Sequence, residues 1–96
     1  MYLIAEHPYF KVQREVSSIE QIDVEYERLI YLYNDRVITK YHEFPLSDVL
    51  DMSYRVFGTE GGLLYLHTVK GVYTYTVKSS PKHFIDAFKE HVKRQS

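Results

Sequence analysis

The sequence predicts a mainly β domain of the α+β class, a bent antiparallel sheet or small, partly open barrel capped by one C-terminal α-helix. Three observations predict it. Two pairs of β-prone runs are joined by two-residue turns. There are ten Tyr and five Phe with no Trp, and the Tyr with Val, Ile and Thr crowd the middle of the chain, a composition suited to a half-buried pleated surface. Near the C-terminus the hydrophobic period changes from two to that of a helix. A chain of 96 residues holds one hydrophobic core, and no Pro/Gly/Ser linker divides it, so 1–96 reads as a single domain.

A first strand is predicted over 9–16, where Phe10, Val12, Arg14 and Val16 alternate with Tyr9, Lys11, Gln13 and Glu15. Residues 17–27 read as an acidic connection without assigned structure, in which Ile19 and Ile22 suit a short helical turn. A hairpin follows over 28–33 and 36–44 around Asn34-Asp35, two side chains that tolerate turn geometry and bond nearby backbone. Its register sets Leu32 opposite Val37 and Ile30 opposite Thr39 on one face, with Tyr31 opposite Ile38 and Tyr33 opposite Arg36 on the other. Pattern alone leaves open which face is buried.

Pro45 ends that strand because it has no ladder donor. Residues 46–50 read as a turn, 51–57 as a fourth strand and 58–62 as its loop. The clearest hairpin spans 63–69 and 72–78 with Lys70-Gly71 as the turn. This register sets Thr68 against Tyr73, Leu66 against Tyr75 and Leu64 against Val77 on one face, which is expected in the core. The opposite face carries Tyr65, His67, Thr74 and Thr76 and is expected to meet solvent or a partner. A helix is predicted over 81–93 from the stripe Phe84, Ile85, Phe88 and Val92. Ser80 suits its N-cap and Pro81 its first position, while Lys89, Lys93 and Arg94 lie in the last turns, where cations suit the helix dipole.

With these elements in place, the runs LIYLYNDRVI (29–38), PLSDV (45–49) and GLLYLHT (62–68), followed by Pro81, Phe84-Ile85 and Phe88, resemble the bacterial pleckstrin-homology-like (PH-like, GRAM-like) domains. The likeness covers roughly the last two-thirds of the chain and consists of hydrophobic and turn positions. The resemblance implies about seven strands closed at one end by the helix, and a docking module for lipids, peptides or proteins. Six strands are legible. Phosphoinositide-binding members carry clustered Lys and Arg across the first two strands and their loop. Here Lys11 and Arg14 are followed by Glu20, Asp23, Glu25 and Glu27, carboxylates where phosphate would need cationic donors, so phosphoinositide recognition is disfavoured.

Composition excludes several functions. With 12 Lys+Arg against 13 Asp+Glu the chain lacks the field that draws proteins to nucleic acid or an anionic bilayer. Without cysteine it has no disulfide, thiolate chemistry or Cys-ligated metal. No window approaches the roughly 18 apolar residues of a membrane helix, and the apolar start is not a signal peptide, so a cytoplasmic protein is expected.

His83, Asp86 and Glu90 recur along one helix side and raise a metal site, but an exposed charged face is the ordinary reading of such spacing. His42 and His67 belong to no recognisable arrangement with a nucleophile, and His91 reads as a helix-end cation or packing residue. Gly58-Thr59-Glu60-Gly61-Gly62 lacks the lysine and strand-loop-helix context of a phosphate loop. No catalytic residue, metal or cofactor is expected.

The tyrosines are the candidate interface, since Tyr joins a large rigid ring to a polar tip, although Tyr is also simply a good strand residue. The expected interface comprises Tyr31, Tyr33, Tyr54, Tyr65 and His67. The function expected is a non-enzymatic binding or scaffold module that takes a protein or peptide through a strand edge or a Tyr-rich face. A homodimer through an aromatic face is its nearest variant. The alternative is a binder of lipid or another small amphipathic ligand.

Overall fold

Leu64, Leu66 and Thr68 alternate with Leu63, Tyr65 and His67, so the strand they form buries one face and half-exposes the other. This strand belongs to a seven-stranded, wholly antiparallel sheet that is not closed and is capped by one C-terminal helix. The computed structural model describes residues 2–16, 21–57 and 61–95, with side chains over 2–11, 25–57 and 61–94. The strands are β1 (Leu3–Val16), β2 (Gln21–Tyr33), β3 (Arg36–Ile38), β4 (Glu43–Pro45), β5 (Val49–Val56), β6 (Gly62–Thr68) and β7 (Gly71–Val77), and the helix is α1 (Lys82–Gln95). A 3-10 turn, Leu46–Asp48, joins β4 to β5. Their order across the sheet is β4-β3-β2-β1-β7-β6-β5, which leaves β4 and β5 as edges.

Four expectations are corrected. Residues 21–27, read as a connection, are strand, and the strand predicted over 9–16 already begins at Leu3: β1 and β2 pair from Leu3↔Tyr33 to Val16↔Gln21 as one long ribbon, so Ile22 lies in a ladder rather than a helical turn, while Ile19 falls outside the described residues. The backbone of this acidic stretch is satisfied by its partner strand, which composition cannot reveal. The strand predicted over 36–44 breaks into β3 and β4, because the Thr39 N–H donates to the His42 carbonyl at 2.8 Å and the Thr39 hydroxyl accepts the His42 N–H at 3.1 Å. That hairpin supplies the seventh strand, and Pro45 is its last residue, on the sheet edge, where a missing donor is tolerated. The strand predicted over 51–57 starts at Val49 and carries a register shift between Val49 and Asp51.

The fourth correction concerns β6 and β7, which turn through Val69-Lys70, not Lys70-Gly71, and pair Leu66↔Tyr73 and Leu64↔Tyr75, two residues from the expected register. Gly71 takes φ +132° as the first residue of β7, so the backbone freedom it supplies is used just after the turn. A two-residue slip keeps every side chain on its face. Tyr75 and Val77 are accordingly buried with Leu64 and Leu66, as expected. The β2–β3 register is the predicted one, Leu32↔Val37 and Tyr31↔Ile38, and the face left open is now settled: Ile30, Leu32 and Val37 are fully buried.

The helix docks its stripe on this core. Phe84, Ile85 and Phe88 are buried, each contributing about 1.5–3 kcal/mol by leaving water, whereas Val92 stays exposed. The Ser80 hydroxyl accepts the Lys82 N–H at 3.3 Å, and the Pro81 carbonyl accepts the first helical bond from Ile85 at 3.0 Å. His91 Nε2 lies 2.8 Å from the Asn34 carbonyl oxygen and therefore donates to it. Asn34 in turn exchanges hydrogen bonds with Tyr2, from its N–H to the Tyr2 carbonyl at 3.1 Å and to its Oδ1 from the Tyr2 N–H at 3.0 Å. These bonds clasp the start of the chain, the β2–β3 turn and the helix. Among the described residues no helix is long and apolar enough to cross a membrane.

Candidate functional site

At the end of the sheet away from this clasp, β1 and β7 are joined, among the described residues, by a single pair, Phe10↔Thr76. Past it β1 pairs, among the described residues, with β2 alone. Where the two strands part lies a cleft of about 410 Å³ whose walls include Tyr9, Lys11, Arg28, His42, Tyr73 and Tyr75.

Its aromatic walls are mutually packed. The Tyr9 and Tyr75 rings meet edge-on with centroids 5.0 Å apart, Tyr73 packs on Phe44 at 4.9 Å, and His42 lies 5.2 Å from Tyr73. Edge-to-face contacts of this kind add about 0.5–1.5 kcal/mol beyond area burial. The Arg28 guanidinium lies over Tyr41 at 4.9 Å and near Tyr26 at 5.6 Å, held by the ring faces. Lys78 lies over Phe10 at 4.5 Å and pairs with Glu25. Among the described residues the lining holds two permanent cations, Lys11 and Arg28, and no carboxylate.

The polar groups of this wall are unequally satisfied. The Tyr9 hydroxyl accepts the Lys40 N–H at 3.3 Å. The Tyr75 hydroxyl is buried without a hydrogen-bond partner. Thr39 stands close enough to oppose the rise in its pKa, but the Thr39 hydroxyl is turned to the His42 backbone, and no well-formed bond to Tyr75 results. Burial, with the Tyr9 and Tyr73 phenols alongside, pushes Tyr75 up to about 12. An orphaned hydroxyl of this kind costs about 1–3 kcal/mol.

The expected interface residues are not brought into one patch. Tyr31 and Tyr33 face outward from β2 with centroids 6.2 Å apart, and Tyr65 and His67 face outward from β6 at 6.4 Å, with β1 and β7 between the two pairs. Tyr54 is 37% exposed and lines a shallow groove beside the start of α1. His67 has a partner that spacing did not reveal, the Ser53 hydroxyl at 2.8 Å. Asp51 lies opposite His67 in the ladder, but its Oδ1 accepts the Met52 N–H at 2.8 Å, so the pair lacks the orienting carboxylate of a nucleophilic triad. On the helix, Asp86 pairs with Lys82 at 2.8 Å and Glu90 with Arg94 at 3.2 Å. Among the described residues no three His, Asp or Glu side chains converge to hold a metal.

The free edge β5 and its exit expose several apolar side chains: Leu50 at 65%, Val56 at 58% and the adjoining Phe57 at 50%. The residues that sequence reasoning missed are those of the cleft, above all Tyr73 and Tyr75, which were assigned to the core face. The available signal was their hydroxyls: a Tyr on a core face needs a polar outlet, and two on one strand point to an open end of the sheet. Compared with known protein families, curated proteins and solved structures, the chain finds no match.

Proposed function

We propose that this chain is a non-enzymatic, PH-like binding module that docks a protein partner along β5, and that it works in the cytoplasm, as its lack of cysteine suggests. The seven-stranded sheet and terminal helix are consistent with the PH-like reading. The observation that carries the docking reading is the set of exposed apolar residues at a sheet edge, where Leu50, Tyr54, Val56 and Phe57 present side chains to solvent. Exposed apolar side chains on an unpaired edge strand favour docking of another chain. The upper part of the edge is blunted by the register shift beside Leu50 and by the Asp51 carboxylate on the Met52 N–H, two devices that discourage indiscriminate strand pairing. Recognition is therefore concentrated on Tyr54–Phe57.

The test is affinity capture by the native chain and by Val56→Lys, with circular dichroism confirming that the variant folds. A partner retained by the native chain and lost by the folded variant is the expected result. A partner retained equally by both removes β5 from the interface. Sedimentation of the native chain alone distinguishes a second copy from a foreign protein as the occupant.

A further inference from the structure

A second strand edge lies inside the cleft. The two-residue turn makes Thr68↔Gly71 the closing pair of the β6–β7 hairpin, so Tyr73 and Tyr75 direct their N–H and C=O groups to β6, while Val72, Thr74 and Thr76 direct theirs toward β1. Among the described residues, only Thr76 has a β1 residue opposite it. In the register of that pair, Thr74 would face Val12 and Val72 would face Arg14, but the strands have already parted. The gap is thus bordered on both sides by backbone donors and acceptors that no neighbouring strand among the described residues uses, and Val72 and Thr74 are exposed beside it.

We propose that this gap receives an extended acidic peptide segment, which adds to β7 along Val72–Thr76. Strand addition supplies main-chain hydrogen bonds, and pockets for alternate side chains supply selectivity. Every second side chain of the guest points into a cleft walled by Tyr9, Tyr73 and Tyr75 and flanked by Lys11 and Arg28. Among the described side chains, Glu27 lies opposite Phe10 on the other face of the β1–β2 ribbon from Lys11, and Glu25 is paired with Lys78. Charge complementarity therefore selects Glu or Asp at the inward positions. The site is separate from β5, which lies at the far side of β6.

The probe is a fluorescent octapeptide of alternating Glu and Val, with Lys-Val and Glu-Pro analogues as controls, titrated into the full chain by anisotropy. The Glu-Val peptide should bind, the Lys-Val peptide about ten-fold or more weakly, and the Glu-Pro peptide not at all, because proline lacks ladder donors. Lys11→Glu should weaken Glu-Val binding about ten-fold. Thr74→Pro, which removes a donor facing the gap and none facing β6, should abolish it. Val56→Lys should leave it unchanged. On binding, the Val72 and Thr74 amides should gain protection from exchange. Equal binding of both charges, no binding of the Glu-Val peptide by the folded native chain, or new protection on β5 instead of β7, would each overturn the proposal.

Discussion

The two ends of the sheet are built from the same strands and finished in opposite ways. At the helix end, Phe84, Ile85 and Phe88 join one buried cluster with Ile30, Leu32, Met52 and Leu64, and the hydrogen bonds of His91, Asn34 and Tyr2 beside it are mutually satisfied. At the other end no element among the described residues closes the gap between β1 and β7, and the wall includes phenols, an imidazole and two cations, with one hydroxyl left unsatisfied. Stability is invested at the first end and left incomplete at the second. Incompletely satisfied polar groups persist where a site has a use for them.

The largest expected effect is at the sealed end. Phe84→Ala should destabilise the fold by about 3–5 kcal/mol, the usual cost of emptying an aromatic core position, read from denaturant titration. A loss below about 1 kcal/mol would mean that the helix does not seal this end. At the open end the sign should reverse. Tyr75→Phe removes a hydroxyl that has no partner, so stability should hold steady or rise by about 1 kcal/mol; a clear loss would reveal a hydrogen bond at that oxygen. The pH dependence follows the same group. Its pKa in the folded chain is raised to about 12 from the usual 10, so the unfolded chain releases this proton first as pH rises. The contribution is therefore full below about pH 10 and is lost as pH climbs toward 12. Tyr75→Phe should remove that component of alkaline destabilisation and leave the rest.

How much of this was legible follows from where each signal resides. The β2–β3 register could be read because Asn34-Asp35 both makes the turn and fixes the pairing. At β6–β7 the same logic misplaced the turn by one residue, since Gly71 draws the eye to itself while its positive φ is needed one step later. The faces survived because the pleat repeats every two residues. The β3–β4 break carried no Gly or Pro and depends on the Thr39 hydroxyl bonding the His42 backbone, a side-chain device that competes with the ladder. The β1–β2 ribbon was hidden by the carboxylates of 20–27, which suggest a solvated loop until a partner strand satisfies the backbone. The cleft was the least legible feature. Its walls come from four separate stretches of chain, and Tyr73 and Tyr75 were correctly placed on the inward face before anything showed that this end of the sheet stays open.

Amide hydrogen exchange of the free chain, followed residue by residue by NMR, tests most directly whether the sheet is closed at one end and open at the other. Tyr73 and Tyr75, bonded to β6, should exchange slowly, and Val72 and Thr74 in the gap should exchange orders of magnitude faster despite alternating with them on one strand. Uniform slow exchange along β7 would mean that β1 or another element already covers this edge, and the account of an open, binding-competent end would be wrong.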